Sequence, residues 1–572
     1  MDATINAPPR SPLARRELAL LLVASAVAAV WLYAWSAGTQ PILGDESAHL
    51  RRAVSYYEAG RRLAYDPLYP PERVGYVGYW DPCLWHLTLA QLWRLTGGPG
   101  VASAQAYHTL FPFLLGVFTY LAARQLYGPR GAAWAWALVL SVPTTVLGGM
   151  AFYMEVPMLA FAAMAFYFLL RRWAVPFGAA LGLACLMKLG SATALVAPLF
   201  AVAVVYLGDR WRERVLWLAM ALVALALVIG PELAWQTEHF GRPLLRGNPR
   251  YAPFPRAVAK RMGKVPTPTP ASELHGILDP LAAGQLLGAT GLVILPWAVG
   301  LVLARFPAAV WAAARRLFGK GPEPQPRLQA ALLFGLPILA FLAAFFLFLR
   351  HAYNVRYLYP MVLPAALLVA GPLASVRLPW RRPRGFSWKR VGAAALAAAA
   401  AGQFLVVPWG VRQKRSLEPA VADAFDWIAR NTPPKARIFY IEENLYAVTG
   451  RPIIWGALSP RTLFSVDAET QALLLLSADV RYIAVHPTRR MPTSDPREIP
   501  AAYPEDWIAT LDGRFWLTKV YDRGGFLIYQ IEYDRMPEEW KRLARPGPVV
   551  ESISHYRAGD APRPEPAPGA PE

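Results

Sequence analysis

The sequence predicts a polytopic α-helical membrane protein of about eleven transmembrane helices, with a C-terminal extracytoplasmic α/β domain. Three observations carry this. First, 55% of the 572 residues are hydrophobic, above the ~45–50% of soluble domains, and they gather into long runs nearly free of charge. Second, basic residues concentrate in alternate short loops between those runs, the charge asymmetry that orients membrane helices. Third, the apolar runs stop at Trp409, and helix-like and strand-like segments alternate beyond it.

A bilayer core needs ~20 helical residues. Candidate spans are Leu18–Trp35, Tyr107–Leu126, Gly131–Met150, Val156–Leu170, Trp173–Met187 and Ala192–Leu207. Five more follow: Val215–Ala234, Leu286–Leu303, Ala330–Leu349, Met361–Val376 and Val391–Trp409. Arg10, Arg15 and Arg16 precede the first span with no clean cleavage site after it, which reads as an uncleaved anchor. Basic loops then carry Arg124 and Arg130, Arg171 and Arg172, Arg210 to Arg214, Arg305 to Lys320, and Arg377 to Arg390. The positive-inside rule makes these loops and the N-terminus cytoplasmic, in an inner (plasma) membrane. The surplus of 58 Lys+Arg over 38 Asp+Glu is therefore a topology signal, and no nucleic-acid partner is expected. Two cysteines exclude a disulfide framework.

Residues 1–411 form the expected membrane domain, with long outer segments at 36–106 and 235–285. Residues 412–558 form the expected soluble domain and 559–572 a Pro/Ala-rich disordered tail. In the soluble part, Val421–Asn431 and Glu469–Ser477 read as helices, and Ala436–Glu442 and Arg481–His486 as strands. Phe515–Tyr521 and Phe526–Tyr533 flank Gly524-Gly525, a hairpin signal.

Four motifs could carry chemistry. Asp45-Glu46 follows the first span; adjacent carboxylates there can take a proton from a hydroxyl or hold a cation. The competing reading makes Asp45 a helix cap and Glu46 a solvated residue. Ala48–Gly60 reads as an amphipathic helix, and the stretch after it is rich in aromatics, among them Tyr79 and Trp80, which suit a headgroup region or sugar rings. Within it, Trp80-Asp81-Pro82 offers a catalytic carboxylate, but Asp81 reads first as an N-cap with Pro82 at the first helical position. Glu155 and Lys188 lie at the outer ends of spans of about 15 residues, too short to reach the lipid surface. They belong on a cavity floor, where ionisable groups are costly and often functional; the alternative is a purely structural pair. The fourth motif, Arg350 to Pro360, is a basic cluster against the positive-inside bias and holds Arg350, His351, Arg356 and Tyr357. Arginine's planar fork suits a phosphate. The Pro-rich basic loop 235–285 reads as a cover over the cavity.

In this order and on one side of the membrane, these features resemble the GT-C superfamily of membrane glycosyltransferases. The likeness is strongest to the protein O-mannosyltransferase and lipid A aminoarabinose transferase group. It rests on Asp45-Glu46, Glu155, Lys188-Leu189-Gly190 and Arg356-Tyr357-Leu358-Tyr359-Pro360. No Trp-Trp-Asp motif of the oligosaccharyltransferase branch is present, so en bloc transfer to asparagine is not expected. The resemblance implies transfer of one sugar from a polyprenyl-phosphate donor to a lipid, glycan or protein acceptor hydroxyl, by inverting displacement. It implies Asp45 as base, with Glu46 second and Glu155 orienting. Lys188, Arg356, Arg350 and His351 would hold the donor phosphate, and Tyr357, Tyr79 and Trp80 the sugar or acceptor. A divalent cation could bridge Asp45, Glu46 and Glu155. The alternatives are a transporter or flippase of a lipid-linked or anionic substrate, and a membrane anchor displaying the soluble domain.

Overall fold

The computed structural model describes residues 14–41, 46–64, 76–77, 82–206, 211–240, 250–251, 280–317, 326–348, 359–376, 388–440, 444–453, 463–464, 466–486 and 503–544. Helix α1 (Arg15–Ser36) shows how the apolar sequence becomes a bundle. It buries Leu21, Ser25, Ala28, Ala29 and Leu32 along one stripe, while Leu20, Val23, Val27 and Val30 stay exposed on the other side. An exposed face that apolar suits lipid rather than water.

The bundle continues through α4 (Val101–Ser141), α5 (Pro143–Met150), α6 (Glu155–Leu170), α7 (Ala174–Met187), α8 (Leu189–Tyr206) and α9 (Trp211–Phe240). It closes with α10 (Pro280–Leu317), α11 (Pro326–Phe348), α12 (Val362–Ala374) and α13 (Trp388–Lys414). The described residues of every predicted span but Gly131–Met150 lie on or within a residue or two of one of these helices, and α4 carries Tyr107–Leu126 together with the start of Gly131–Met150. Among the described residues, five helices are long and apolar enough to cross a membrane alone, or six if α5 and α6 form one broken span. The protein is a multi-pass membrane protein.

One expected span is corrected. Gly131–Met150 is not continuous. The turn at Gly128, φ +70, falls where the sequence separates two spans, but a second break falls at Val142, inside the predicted span, before Pro143 opens α5. Proline cannot donate the helical hydrogen bond its position calls for. The pair α5–α6 is then bent by 114°.

Small residues let the helices approach closely. A Cβ added at Gly178 on α7 would lie 2.0 Å from the carbonyl oxygen of Ala221 on α9, and one at Gly182 would lie 2.7 Å from the Val228 side chain. This backbone contact fixes α7, and with it the position of Lys188 at its end.

Two short helices lie between α1 and α4. Helix α2 (Glu46–Ala59) ends at Gly60, which takes φ +72, as the amphipathic pattern predicts. Helix α3 (Leu84–Thr96) has Cys83 at its N-cap. The expectation of Asp81 as cap and Pro82 at the first helical position is therefore corrected: Pro82 lies outside the helix, and Asp81 outside the described residues. A two-residue ladder, β1 (Tyr76–Val77), pairs antiparallel with β2 (Arg250–Tyr251), tying the two long inter-span segments together.

Past α13, a four-stranded sheet runs in the order β3 (Arg437–Phe439), β4 (Val480–Val485), β6 (Phe526–Ile531), β5 (Leu517–Arg523). Helices cover both faces. Tyr482 and Ala484 of β4 meet Phe425 and Ile428 of Pro419–Asn431 on one side. Ile483 and Val485 meet Leu473, Trp507 and Trp516 on the other. That alternation is the strand period of two with both faces buried. The hairpin signal is borne out: Gly524 and Gly525 take φ +59 and +78, the left-handed pair a tight two-residue turn needs.

Candidate active site

The break between α5 and α6 is where the distant motifs meet. A broken helix leaves backbone groups without partners, and inside a membrane protein side chains must supply them. Here Gln105 of α4 donates to the Met150 carbonyl at 2.6 Å. His108 meets the Gly148 carbonyl at 2.6 Å through Nε2, while its Nδ1 accepts from Trp85 Nε1 at 3.1 Å. That pairing assigns the proton to Nε2.

Glu46, the first residue of α2, reaches the same turn. Its Oε1 accepts from the backbone N–H of Phe152 at 3.3 Å and pairs with Arg415 Nη2. Arg415 also donates to the Met150 carbonyl at 2.7 Å and to Thr39 Oγ1 at 3.0 Å. Both charged side chains are buried, Glu46 at 0% and Arg415 at 1% exposure. The reading of Glu46 as a solvated residue is overturned. A carboxylate is taken out of water here because a guanidinium and a backbone donor replace the hydration.

Glu155 opens α6 three residues beyond Phe152, at the helix end whose dipole favours a carboxylate. Its Oε1 lies 2.5 Å from Lys188 Nζ. Lys188 is the single residue between α7 and α8, with extended φ −153 and ψ 91. Glu155 is 7% exposed and Lys188 24%, so the ammonium is the more accessible end of the pair. Tyr359, at the end of the fourth motif, donates to Thr145 Oγ1 on α5 at 3.0 Å. Glu46, the Glu155–Lys188 pair and Tyr359 therefore all attach to α5, to the turn that follows it or to the first residue of α6.

Asp45, Tyr79, Trp80, Arg350, His351, Arg356 and Tyr357 lie outside the described residues. Among the described residues, no group of three or more His, Cys, Asp or Glu side chains could hold a metal ion. Glu46 and Glu155 each already face a basic side chain.

Several contacts were not anticipated. Arg62 holds Glu232 of α9 through two bonds of 2.8 and 2.7 Å and stacks 3.2 Å over the Trp235 ring. His49 Nδ1 and His86 Nε2 lie 3.0 Å apart, and burial holds the His86 imidazole well below its ordinary pKa, hence neutral. Burial also pushes the Cys83 thiol up to about 12, which makes it unreactive. Arg415 did leave a signal. With Arg412 and Lys414 it forms a basic run just past Trp409, the end of the last predicted span.

Residues 82–235 match the family model for dolichyl-phosphate-mannose-protein mannosyltransferase. Comparison with curated proteins gives no match. Among solved structures, the chain is similar to ArnT from Cupriavidus metallidurans bound to undecaprenyl phosphate. The identity is 16% and the TM-score 0.54, over 90% of this chain and 98% of that one. It is also similar to the Archaeoglobus fulgidus oligosaccharyltransferase tethered with an acceptor peptide, at 12% identity and TM-score 0.52, over 91% of this chain and 75% of that one. A third likeness is to the arabinofuranosyltransferase AftD from Mycobacteria, at 18% identity and TM-score 0.51, over 92% of this chain and 40% of that one. At these identities the likeness is one of fold alone: the chain shares its fold with ArnT, the oligosaccharyltransferase and AftD.

Proposed function

We propose that this protein transfers one sugar from a polyprenyl-phosphate donor to an acceptor hydroxyl at the outer face of the membrane, inverting the anomeric carbon. The observation that carries the reading is the meeting of Glu46, Glu155 and Lys188 at one broken helix. Acidic groups suited to an acceptor hydroxyl and a cation suited to a phosphate thereby share one hinge. ArnT, a fold neighbour, is seen with undecaprenyl phosphate bound, which supports a donor of that class.

The roles follow from the chemistry. Asp45, bonded in sequence to the buried Glu46, is the general base toward the hydroxyl. A phosphate leaves without a general acid, provided cations hold its developing charge; Lys188, Arg356, Arg350 and His351 are assigned that work. Tyr357, Tyr79 and Trp80 are assigned to the sugar or acceptor. A single displacement inverts configuration, as in inverting glycosidases. A divalent cation held by Asp45, Glu46 and Glu155 would have to displace Arg415 from Glu46 and Lys188 from Glu155. Residues 1–411 are assigned to the membrane domain, and residues 412–558 to an extracytoplasmic domain above the site, in an inner (plasma) membrane protein with its N-terminus in the cytoplasm.

The test is to incubate purified protein with a panel of radiolabelled polyprenyl-phosphate sugars and an envelope extract. Transfer of label to a hydroxyl-bearing acceptor, with the free polyprenyl phosphate released, is expected. Movement of intact donor across a liposome without sugar release would replace this reading with a lipid transporter.

A further inference from the structure

The Glu46–Arg415 pair joins residues 369 positions apart, and Arg415 belongs neither to the first inter-span segment nor to the bundle. It sits one residue past α13, where the chain leaves for the C-terminal sheet. Its guanidinium makes contacts to three separate segments: Thr39 after α1, Glu46 at the start of α2, and Met150 at the end of α5. A second contact reinforces the connection. Helix Asn444–Thr449 of the C-terminal unit packs on α2, with the Arg51 guanidinium 5.1 Å from the centre of the Tyr446 ring.

We propose that Arg415 is a positioning residue for the transfer reaction, and that the segment entering the C-terminal unit is thereby built into the active site. The proposal rests on Asp45 as the base. Asp45 is covalently next to Glu46, so the point at which Glu46 is fixed sets where the base can stand relative to the α5–α6 turn and to Glu155. The guanidinium fork reaches Thr39 through Nη1 and Glu46 and Met150 through Nη2; a lysine carries its three donors on a single nitrogen and cannot span them in the same way. Misplacing a reacting group by about 1 Å can cost on the order of 10²-fold in rate. Arg415 would act in that way, without touching the substrate.

The experiment compares Arg415→Gln, Arg415→Lys and the double variant Glu46→Gln/Arg415→Gln in the full-length protein. It measures kcat, KM for the donor, donor binding and thermal unfolding. Expected is a fall in kcat of about 10²-fold for Arg415→Gln, a smaller fall for Arg415→Lys, and donor binding within a factor of three of wild type. The double variant removes the uncompensated buried carboxylate and should regain stability, yet stay slow, because the amide pair does not hold all three segments. If Arg415→Gln fails to fold, the double variant decides, since the proposal requires it to be folded and slow. Wild-type kcat in either folded variant, or losses confined to thermal stability, would overturn the proposal. Asp45→Asn, run alongside, separates the two ideas. If it is inactive while folded Arg415 variants keep full kcat, the base reading stands and the positioning role falls. If it is fully active, the base reading falls.

Discussion

Lys188 Nζ and Glu155 Oε1 lie 2.5 Å apart, and each stands at a helix break: Glu155 at the start of α6, Lys188 between α7 and α8. The pair therefore locks two discontinuities of the bundle to each other. Removing one partner from a buried pair leaves an uncompensated charge, which typically costs about 3–5 kcal/mol; the partial exposure of Lys188 places the effect at or below the low end.

Lys188→Met should thus lower both stability and donor-phosphate affinity, the latter by about 1.5–3 kcal/mol. Adding Glu155→Gln should restore most of the stability but not the affinity. Thermal unfolding and donor binding, measured on the same preparations, check the two effects separately. Full recovery of donor binding in the double variant would make the lysine purely structural.

Asp45→Asn should reduce turnover by roughly 10²–10⁴, the usual worth of a positioned base, and leave donor affinity nearly unchanged. Asparagine caps a helix about as well as aspartate, so a capping role predicts no loss of turnover. Steady-state kinetics with the labelled donor decide between them.

Gly178→Ala should destabilise the bundle by about 1–3 kcal/mol, because its Cβ would meet the Ala221 carbonyl. Gly230→Ala on α9, where nothing lies within 4 Å, should instead stabilise by about 0.4–1 kcal/mol. Opposite shifts in Tm in detergent are the expected outcome.

In the C-terminal unit, Asp467 caps helix Ala468–Ser477 by accepting from the Thr470 N–H at 2.8 Å. That backbone bond holds its carboxyl below the ordinary value. The charged cap's contribution is therefore complete above the unfolded carboxylate range and is lost as pH falls through the lower, folded pKa. Asp467→Ala should cost about 1 kcal/mol at pH 7 and progressively less in acid, whereas Asp467→Asn should cost little at any pH. Amide exchange over residues 468–477 reads this directly.

Orientation is checked with cysteines. Both native thiols are buried, so background labelling should be low. An impermeant maleimide applied from outside should label Glu538→Cys, an exposed position, and miss Arg315→Cys. The reverse pattern would put the C-terminal unit in the cytoplasm.

The sequence by itself determined where the helices lie, the strand hairpin, and which motifs were candidates, because hydropathy, turn glycines and loop charge are local properties of the chain. It placed Glu155 and Lys188 below the ends of short spans by length alone. It did not determine that α5 breaks from α4 at Pro143, since apolar composition is the same on both sides of the kink. Nor could it decide between a solvated and a buried Glu46. That depends on Arg415, which is brought to it only when α13 packs beside α5. Pairing between residues hundreds of positions apart is set by the free energy of the whole packed bundle, in which a costly buried charge is tolerated only where the fold delivers its partner.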